Sequence, residues 1–111
     1  MLLKNQSTIE QLSQEIGPDN VSMLFGIFVN ELRGYLALFE EADESHLCQH
    51  LKEVSHALKS SAASFGADAL CSLAVDIDAR VKAGEILDCD KEVHDLVAVM
   101  KETYGAYEAC L

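Results

Sequence analysis

The chain has little proline, no tryptophan and few basic residues. The shortage of basic residues argues against partners that carry many negative charges. Among its 111 residues there is one proline, and 8 lysines and arginines stand against 19 acidic residues, for a net charge of -11. Non-specific binding of nucleic acid needs a basic footprint, and so does attraction to an anionic membrane surface. We therefore expect no nucleic-acid partner and no membrane partner.

Long apolar runs are absent as well. No stretch of about 18 apolar residues could form a membrane-spanning helix. The first residues, Met1 to Gln6, have neither the apolar length nor the basic flank of a signal peptide. These absences predict a cytoplasmic protein.

The four cysteines are widely spread and form no CxxC pair. They are Cys48, Cys71, Cys89 and Cys110. Cytoplasmic thiols normally stay reduced, so we expect four free thiols.

Half of the chain is apolar, which is enough for one core, and residues 1–111 are predicted to form a single domain. Helical periods separated by short Gly, Pro and Asp breaks indicate an all-α fold. Four long helices with short connections predict an antiparallel up-and-down four-helix bundle, with an additional short N-terminal helix. The first predicted helix starts near Ser7, with Glu10 in a capping box, and the second runs from Pro18 to about Ala42. The third runs from Asp43 or Ser45 to Gly66 and the fourth from Asp68 to Gly84. The last begins after Asp88 or Asp90. Gly26 and Gly34, inside the second of these, suggest close packing by a neighbouring helix.

His56 is the main candidate for chemistry. It is two positions from both Val54 and Leu58 on the apolar stripe of the third helix, so it points about 160° away from each. An imidazole on the face opposite the core is exposed, and a neutral ring offers a nitrogen lone pair for attack. Glu53, three residues earlier, could hydrogen-bond the second ring nitrogen.

The neighbours of this histidine suit a phosphoryl group. Lys59 at i+3 and Lys52 at i−4 are within helical reach and can pair with phosphoryl oxygens. Ser60 at i+4 could donate a hydrogen bond. Ala63 and Gly66 leave little side-chain bulk, so the active site of another protein could approach closely.

The order of these residues resembles the signature of histidine-containing phosphotransfer (HPt) domains. The string His-Ala-Leu-Lys-Ser-Ser-Ala-Ala-Ser-Phe-Gly-Ala is similar to His-x-Leu-Lys-Gly-Ser-x-x-x-x-Gly-Ala followed by a leucine. One departure is Ser60, where many members carry glycine. With Ile-Gly-Pro-Asp-Asn near the start, the chain resembles a quorum-sensing subfamily in which this serine is usual. The matching positions are His56, Leu58, Lys59, Ser61, Gly66, Ala67 and Leu70.

The resemblance implies a phosphorelay. A receiver aspartate of a hybrid sensor kinase would donate a phosphoryl group to His56, which would pass it reversibly to a receiver aspartate of a response regulator. The chain would be a monomeric carrier without autonomous kinase activity and without a cofactor, because the receiver supplies the Mg²⁺ pocket. Lys59 would supply nearby positive charge.

Two alternative functions remain beside this interpretation, and one question concerns the second helix. The chain could be a helical adaptor that binds a regulatory partner without phosphorylation. His46 and His50, spaced i and i+4, could hold a metal, although we expect a solvated pair. Met23 and Ile27 are apolar on the outer face of the second helix. We expect the first helix to cover them, and the alternative is a docking patch for receiver domains.

Overall fold

The computed structural model describes residues 1–111 and contains helices without strands, as the sequence predicts. Its elements are α1 (Gln6–Ile16), α2 (Pro18–Glu41), a 3₁₀ turn (Glu44–His46), α3 (Leu47–Phe65), α4 (Asp68–Lys82) and α5 (Cys89–Glu108).

The N-cap of the first helix lies two residues before the predicted one. Asn5, not Ser7, is the N-cap, and its side-chain oxygen accepts a hydrogen bond of 3.2 Å from the amide of Thr8. Asn5 also ties α1 to the end of α3, because its own amide donates to the carbonyl oxygen of Gly66 at 2.7 Å. A tertiary contact therefore determines where α1 starts.

The boundary between α1 and α2 is the predicted one. Gly17 has a φ of 87°, and Pro18 occupies the first position of α2, where its missing amide hydrogen costs no helical bond. The expectation of close packing at Gly26 and Gly34 is wrong, since a Cβ at either position would meet no other atom within 4 Å.

The predicted start of the third helix is displaced. Glu44–His46 form a 3₁₀ turn, and the α-helix begins at Leu47. Its end at Gly66 is as predicted: Gly66 adopts the left-handed conformation, with a φ of 77°, and terminates α3.

Aromatic rings from three helices meet at one end of the core. Phe28 stacks on Phe65 and packs edge-on against Tyr107, with centroid distances of 4.8 and 5.1 Å. The buried hydroxyl of Tyr107 donates a 2.7 Å hydrogen bond to the carbonyl oxygen of Phe65 in the last turn of α3. This bond satisfies a carbonyl that has no partner within its own helix.

The α2 helix is long and apolar enough, by length and composition, to cross a membrane. Core helices of water-soluble proteins meet the same criterion, and α2 contributes five residues to the core of this protein. Those residues are Phe25, Phe28, Val29, Leu32 and Phe39. One face of α2 therefore lies in the core.

The expectation of four free thiols is wrong for one pair. Cys48 and Cys89 form a disulfide with Cα atoms 5.4 Å apart, whereas Cys71 and Cys110 are free. The two bonded residues occupy the first turns of α3 and α5, which the fold places side by side. They are 41 positions apart in sequence, so spacing along the chain gave no sign of the pairing.

Removing this disulfide should lower stability without changing the fold. A cross-link that closes a loop of this length restricts the unfolded chain, so Cys48→Ser should lower the free energy of unfolding by about 3–4 kcal/mol. Urea denaturation under non-reducing conditions measures the change. Cys110→Ser is the control, because Cys110 is exposed and unpaired. Equal stability of wild type and Cys48→Ser would contradict the disulfide.

Candidate functional site

His56 lies on the outer face of α3, as predicted, and contacts a neighbouring helix on one side. Its side chain is 64% exposed, and its Nδ1 atom is 3.2 Å from Oδ1 of Asp78 on α4. The expected contact with Glu53 does not form, because Glu53 instead accepts a 2.7 Å hydrogen bond from Gln49. The partner of the ring therefore comes from α4 and not from the helix that carries the histidine.

The carboxylate of Asp78 contacts three basic side chains, those of His56, Lys59 and Lys82. Its side chain is 5% exposed, and its Oδ2 atom is 2.7 Å from Nζ of Lys59 and 2.9 Å from Nζ of Lys82. Hydrogen bonds from Lys59 and then from Lys82 hold the pKa of Asp78 well below its usual range, against the opposite effect of burial. Asp78 is thus ionised at neutral pH.

Two ammonium groups lie close to the histidine as a result. Lys59 was predicted from its i+3 spacing, and its hydrogen bond with Asp78 raises the pKa of its amine. Lys82 reaches the same carboxylate from α4. Lys52 is exposed on α3 and forms no ion pair. The site thus places an exposed imidazole beside two ammonium groups that are held in position by Asp78.

The small residues that follow the histidine fall into two groups. Ser60 and Ala63 are exposed, as a surface for partner approach requires. Gly66 is buried, so its predicted role in partner approach is wrong. A Cβ there would lie 3.0 Å from Cβ of Thr8 and 3.1 Å from the carbonyl oxygen of Asn5. Gly66 is needed for its left-handed conformation and for the contact with α1.

Comparison with known proteins identifies the family of this chain. The family model described as Hpt domain matches residues 23–108. The chain belongs to the Hpt family. It is 50% identical over 107 residues to the phosphorelay protein LuxU of Vibrio vulnificus strain YJ016, covering 96% of this chain and 93% of that protein.

Two further relatives carry the same name. The chain is 47% identical to the phosphorelay protein LuxU of Vibrio cholerae, over 93% of this chain and 91% of the relative. It is 46% identical to that of Vibrio harveyi, over 95% and 92%. No solved structure gives a significant match.

Asp78 and Lys82 also belong to the candidate site, and the sequence did not identify them. The available signal was an acidic residue directly beside Ile77, on the inward face of α4, with a lysine four residues later. Acidic residues are seldom buried without a partner. The sequence alone did not show that α4 packs beside His56.

Met23 and Ile27 are not covered by α1, contrary to expectation. They are 60% and 57% exposed. The apolar residues of α1, Ile9 and Leu12, pack instead against the core of the Hpt domain. Ile27 and Met23 lie one and two turns before Glu31, which accepts a 2.9 Å hydrogen bond from Ser61 of α3. The exposed apolar pair therefore borders α3.

His46 ends the 3₁₀ turn and His50 lies in the first turn of α3, six residues before the candidate histidine. The two rings are 6.1 Å apart between centroids, and Nδ1 of His46 is 2.6 Å from Oδ1 of Asp43. No group of three or more potential ligands is arranged to hold a metal ion in this chain.

A side chain at position 66 should destabilise the domain. Gly66→Ala would place a Cβ in a left-handed conformation and against α1, so it should lower the free energy of unfolding by about 1–2 kcal/mol. Chemical denaturation measures this change. Gly34→Ala is the control, because a Cβ there meets no atom and alanine favours the helix. The prediction fails if Gly66→Ala is as stable as wild type.

Proposed function

We propose that this Hpt protein carries a phosphoryl group on His56 in a quorum-sensing phosphorelay. The main supporting observation is the exposed imidazole of His56 beside Lys59, in the region matched by the family model. The names of the relatives support a place in a phosphorelay. The remaining sites follow from this role: Lys59 supplies charge, and Lys52, Ser60 and Ala63 provide the surrounding exposed surface.

The transfer needs little from this chain beyond a nucleophile and nearby charge. A ring nitrogen attacks the phosphorus of a receiver aspartyl phosphate, the P–O bond breaks, and its electron pair leaves on the receiver carboxylate. Lys59 is held beside the ring and can pair with the phosphoryl oxygens. The receiver is expected to supply Mg²⁺, so this chain acts as a carrier without kinase activity of its own.

The proposed architecture is an antiparallel up-and-down bundle of α2 to α5, with α1 across one end. Contacts of α2 with α3, α3 with α4, α4 with α5 and α5 with α2 support a closed four-helix arrangement. The hydrogen bond between Tyr107 and Phe65 joins the last turns of α5 and α3. This contact supports the arrangement, because diagonal helices of an up-and-down bundle run parallel and end on the same side. Residues 1–111 form one domain in this proposal.

The proposed partners are two receiver domains. One belongs to a hybrid sensor kinase, and the other to a response regulator similar to LuxO. We place the exchange in the cytoplasm, a compartment that would tend to reduce the Cys48–Cys89 disulfide, and propose that the chain acts as a monomer. The exposed pair Met23 and Ile27 is the proposed apolar part of the receiver-docking surface, because it borders α3 and nothing in this chain covers it.

Replacement of the histidine tests the carrier function. After incubation with a phosphorylated receiver domain, the wild type should gain an acid-labile phosphate, visible by ³¹P NMR as a phosphoramidate signal. His56→Gln should gain none, because the amide lacks a nucleophilic lone pair. His94→Gln is the control, since His94 is also an exposed histidine. An unlabelled wild type would favour the adaptor without phosphorylation, and full labelling of His56→Gln would assign the phosphoryl group to another residue.

Polar substitutions at the apolar pair test docking. Met23→Ser with Ile27→Ser should weaken the binding of a receiver domain by roughly tenfold or more, since a few buried apolar side chains dominate such interfaces. Titration calorimetry measures the affinity, and denaturation checks the fold. Ile86→Ser is the control, because Ile86 is an exposed apolar residue in the loop after α4. Lost stability with unchanged affinity would instead make the pair part of the core.

A further inference from the structure

The disulfide between Cys48 and Cys89 is accessible from solvent on one side. Cys48 is exposed in the first turn of α3, whereas Cys89 is half-buried at the start of α5 and packs against the core. A thiolate in solution can therefore approach Cys48 while the domain remains folded. A disulfide enclosed in the core would be closed to such an attack.

Two surface clefts meet at this bond. Both cysteines line one cleft, of about 290 Å³, and their chain neighbours Leu47 and Asp90 line the other, of about 520 Å³. Side chains do not fill the space between the helices on either side of the bond, in contrast to a closely packed interior. The disulfide therefore supplies a connection that packing supplies only in part at this end of α3 and α5.

The fold around the two cysteines does not require the bond. At the opposite ends of α3 and α5, the hydroxyl of Tyr107 donates to the carbonyl oxygen of Phe65, and Leu51 is fully buried one turn after Cys48. A half-buried cysteine with a free thiol packs as a small apolar side chain. Its Sγ atom lies 3.7 Å from the carbonyl oxygen of Leu87, which can accept the thiol hydrogen of reduced Cys89. The dithiol form is thus compatible with the same helices.

We propose that Cys48 and Cys89 form a reversible redox site that exchanges electrons with dithiols. The oxidised site locks the amino-terminal ends of α3 and α5 together, and the reduced site lets these ends separate between the two clefts. The proposal does not depend on phosphotransfer by His56. In a compartment that keeps thiols reduced, the open form is the resting state, and closure reports an oxidising change.

The exchange involves only the two cysteines and one dithiol. A thiolate of the dithiol attacks the sulfur of Cys48, the S–S bond breaks, and its electron pair leaves on Cys89, which takes up a proton. The second thiol of the reductant then attacks the mixed disulfide and releases Cys48, which is protonated in turn. The protein gains two electrons and two protons, and the reductant leaves as a disulfide. The same steps in reverse, with that disulfide as oxidant, close the bond.

A permanent structural cross-link is the competing explanation. Such a bond would also stabilise the domain, but a reductant would reach it only after the chain unfolds. Reduction that needs unfolding is accelerated by denaturant, because denaturant raises the population of the open form. The effect of low urea on the rate of reduction therefore separates the two explanations.

Reduction kinetics of the native wild type give the first test. Dithiothreitol is the probe, and alkylation followed by peptide mass spectrometry distinguishes newly formed thiols from those of Cys71 and Cys110, which are free at the start. Two thiols should appear together, at a rate proportional to the dithiothreitol concentration and unchanged by urea below the unfolding transition. Oxidised dithiothreitol should restore the bond, and circular dichroism should show the same helix content in both states. A rate that rises steeply with low urea, a loss of helix on reduction, or a failure to reclose would each overturn the proposal.

Backbone dynamics give the second test. On reduction, the ¹⁵N heteronuclear NOE should fall in residues 44–51 and 84–92, and it should stay unchanged around Phe65 and Tyr107. Cys48→Ser cannot form the bond and should resemble the reduced wild type with or without reductant. Cys110→Ser is the matched control, because Cys110 is an exposed cysteine outside the bond, and this variant should respond to reductant as the wild type does.

The position of the change decides the outcome of the second test. A fall confined to the two amino-terminal ends supports the lock. An unchanged NOE throughout the chain would mean that the bond locks nothing, and a fall along the whole chain would mean that it holds the entire domain. Either of these results overturns the proposal.

Discussion

Burial of the apolar face of α3 fixes which of its residues face solvent. Leu51, Val54, Leu58 and Ala62 are buried along one side of that helix. Because each is inaccessible to water, α3 cannot rotate without exposing apolar surface, and its opposite face is fixed toward solvent. His56 owes its exposure to this packing.

The position of α3 along its own axis is fixed at the end that follows His56. Gly66 ends the helix in a left-handed conformation, and its carbonyl oxygen accepts the amide hydrogen of Asn5. Tyr107 donates to the carbonyl oxygen of Phe65 one residue earlier. At the other end, the disulfide joins Cys48 to α5. The helix that carries the histidine is therefore held at both ends by neighbouring segments.

Charge is distributed unevenly around this helix. The chain carries a net charge of -11, yet two of its few lysines converge beside the histidine. They are held there by a nearly buried carboxylate, which would be unfavourable without such partners. Asp78 thereby keeps Lys59 and Lys82 close to the place where a phosphoryl group would add negative charge.

The helical class, most helix boundaries and the exposure of His56 could be predicted from the sequence. These depend on period and spacing within one segment: the stripe from Leu51 to Ala62, the break at Gly17 and Pro18, and the i+3 step to Lys59. The tertiary structure decided the contact of Asp78 with His56, the addition of Lys82, the burial of Gly66 under α1 and the pairing of Cys48 with Cys89. Each joins residues from different segments, and only packing brings their side chains within a few ångströms. Periodicity predicts the direction in which a side chain points from its own helix. Which residue of another helix it contacts depends on how the apolar faces of the two helices pack.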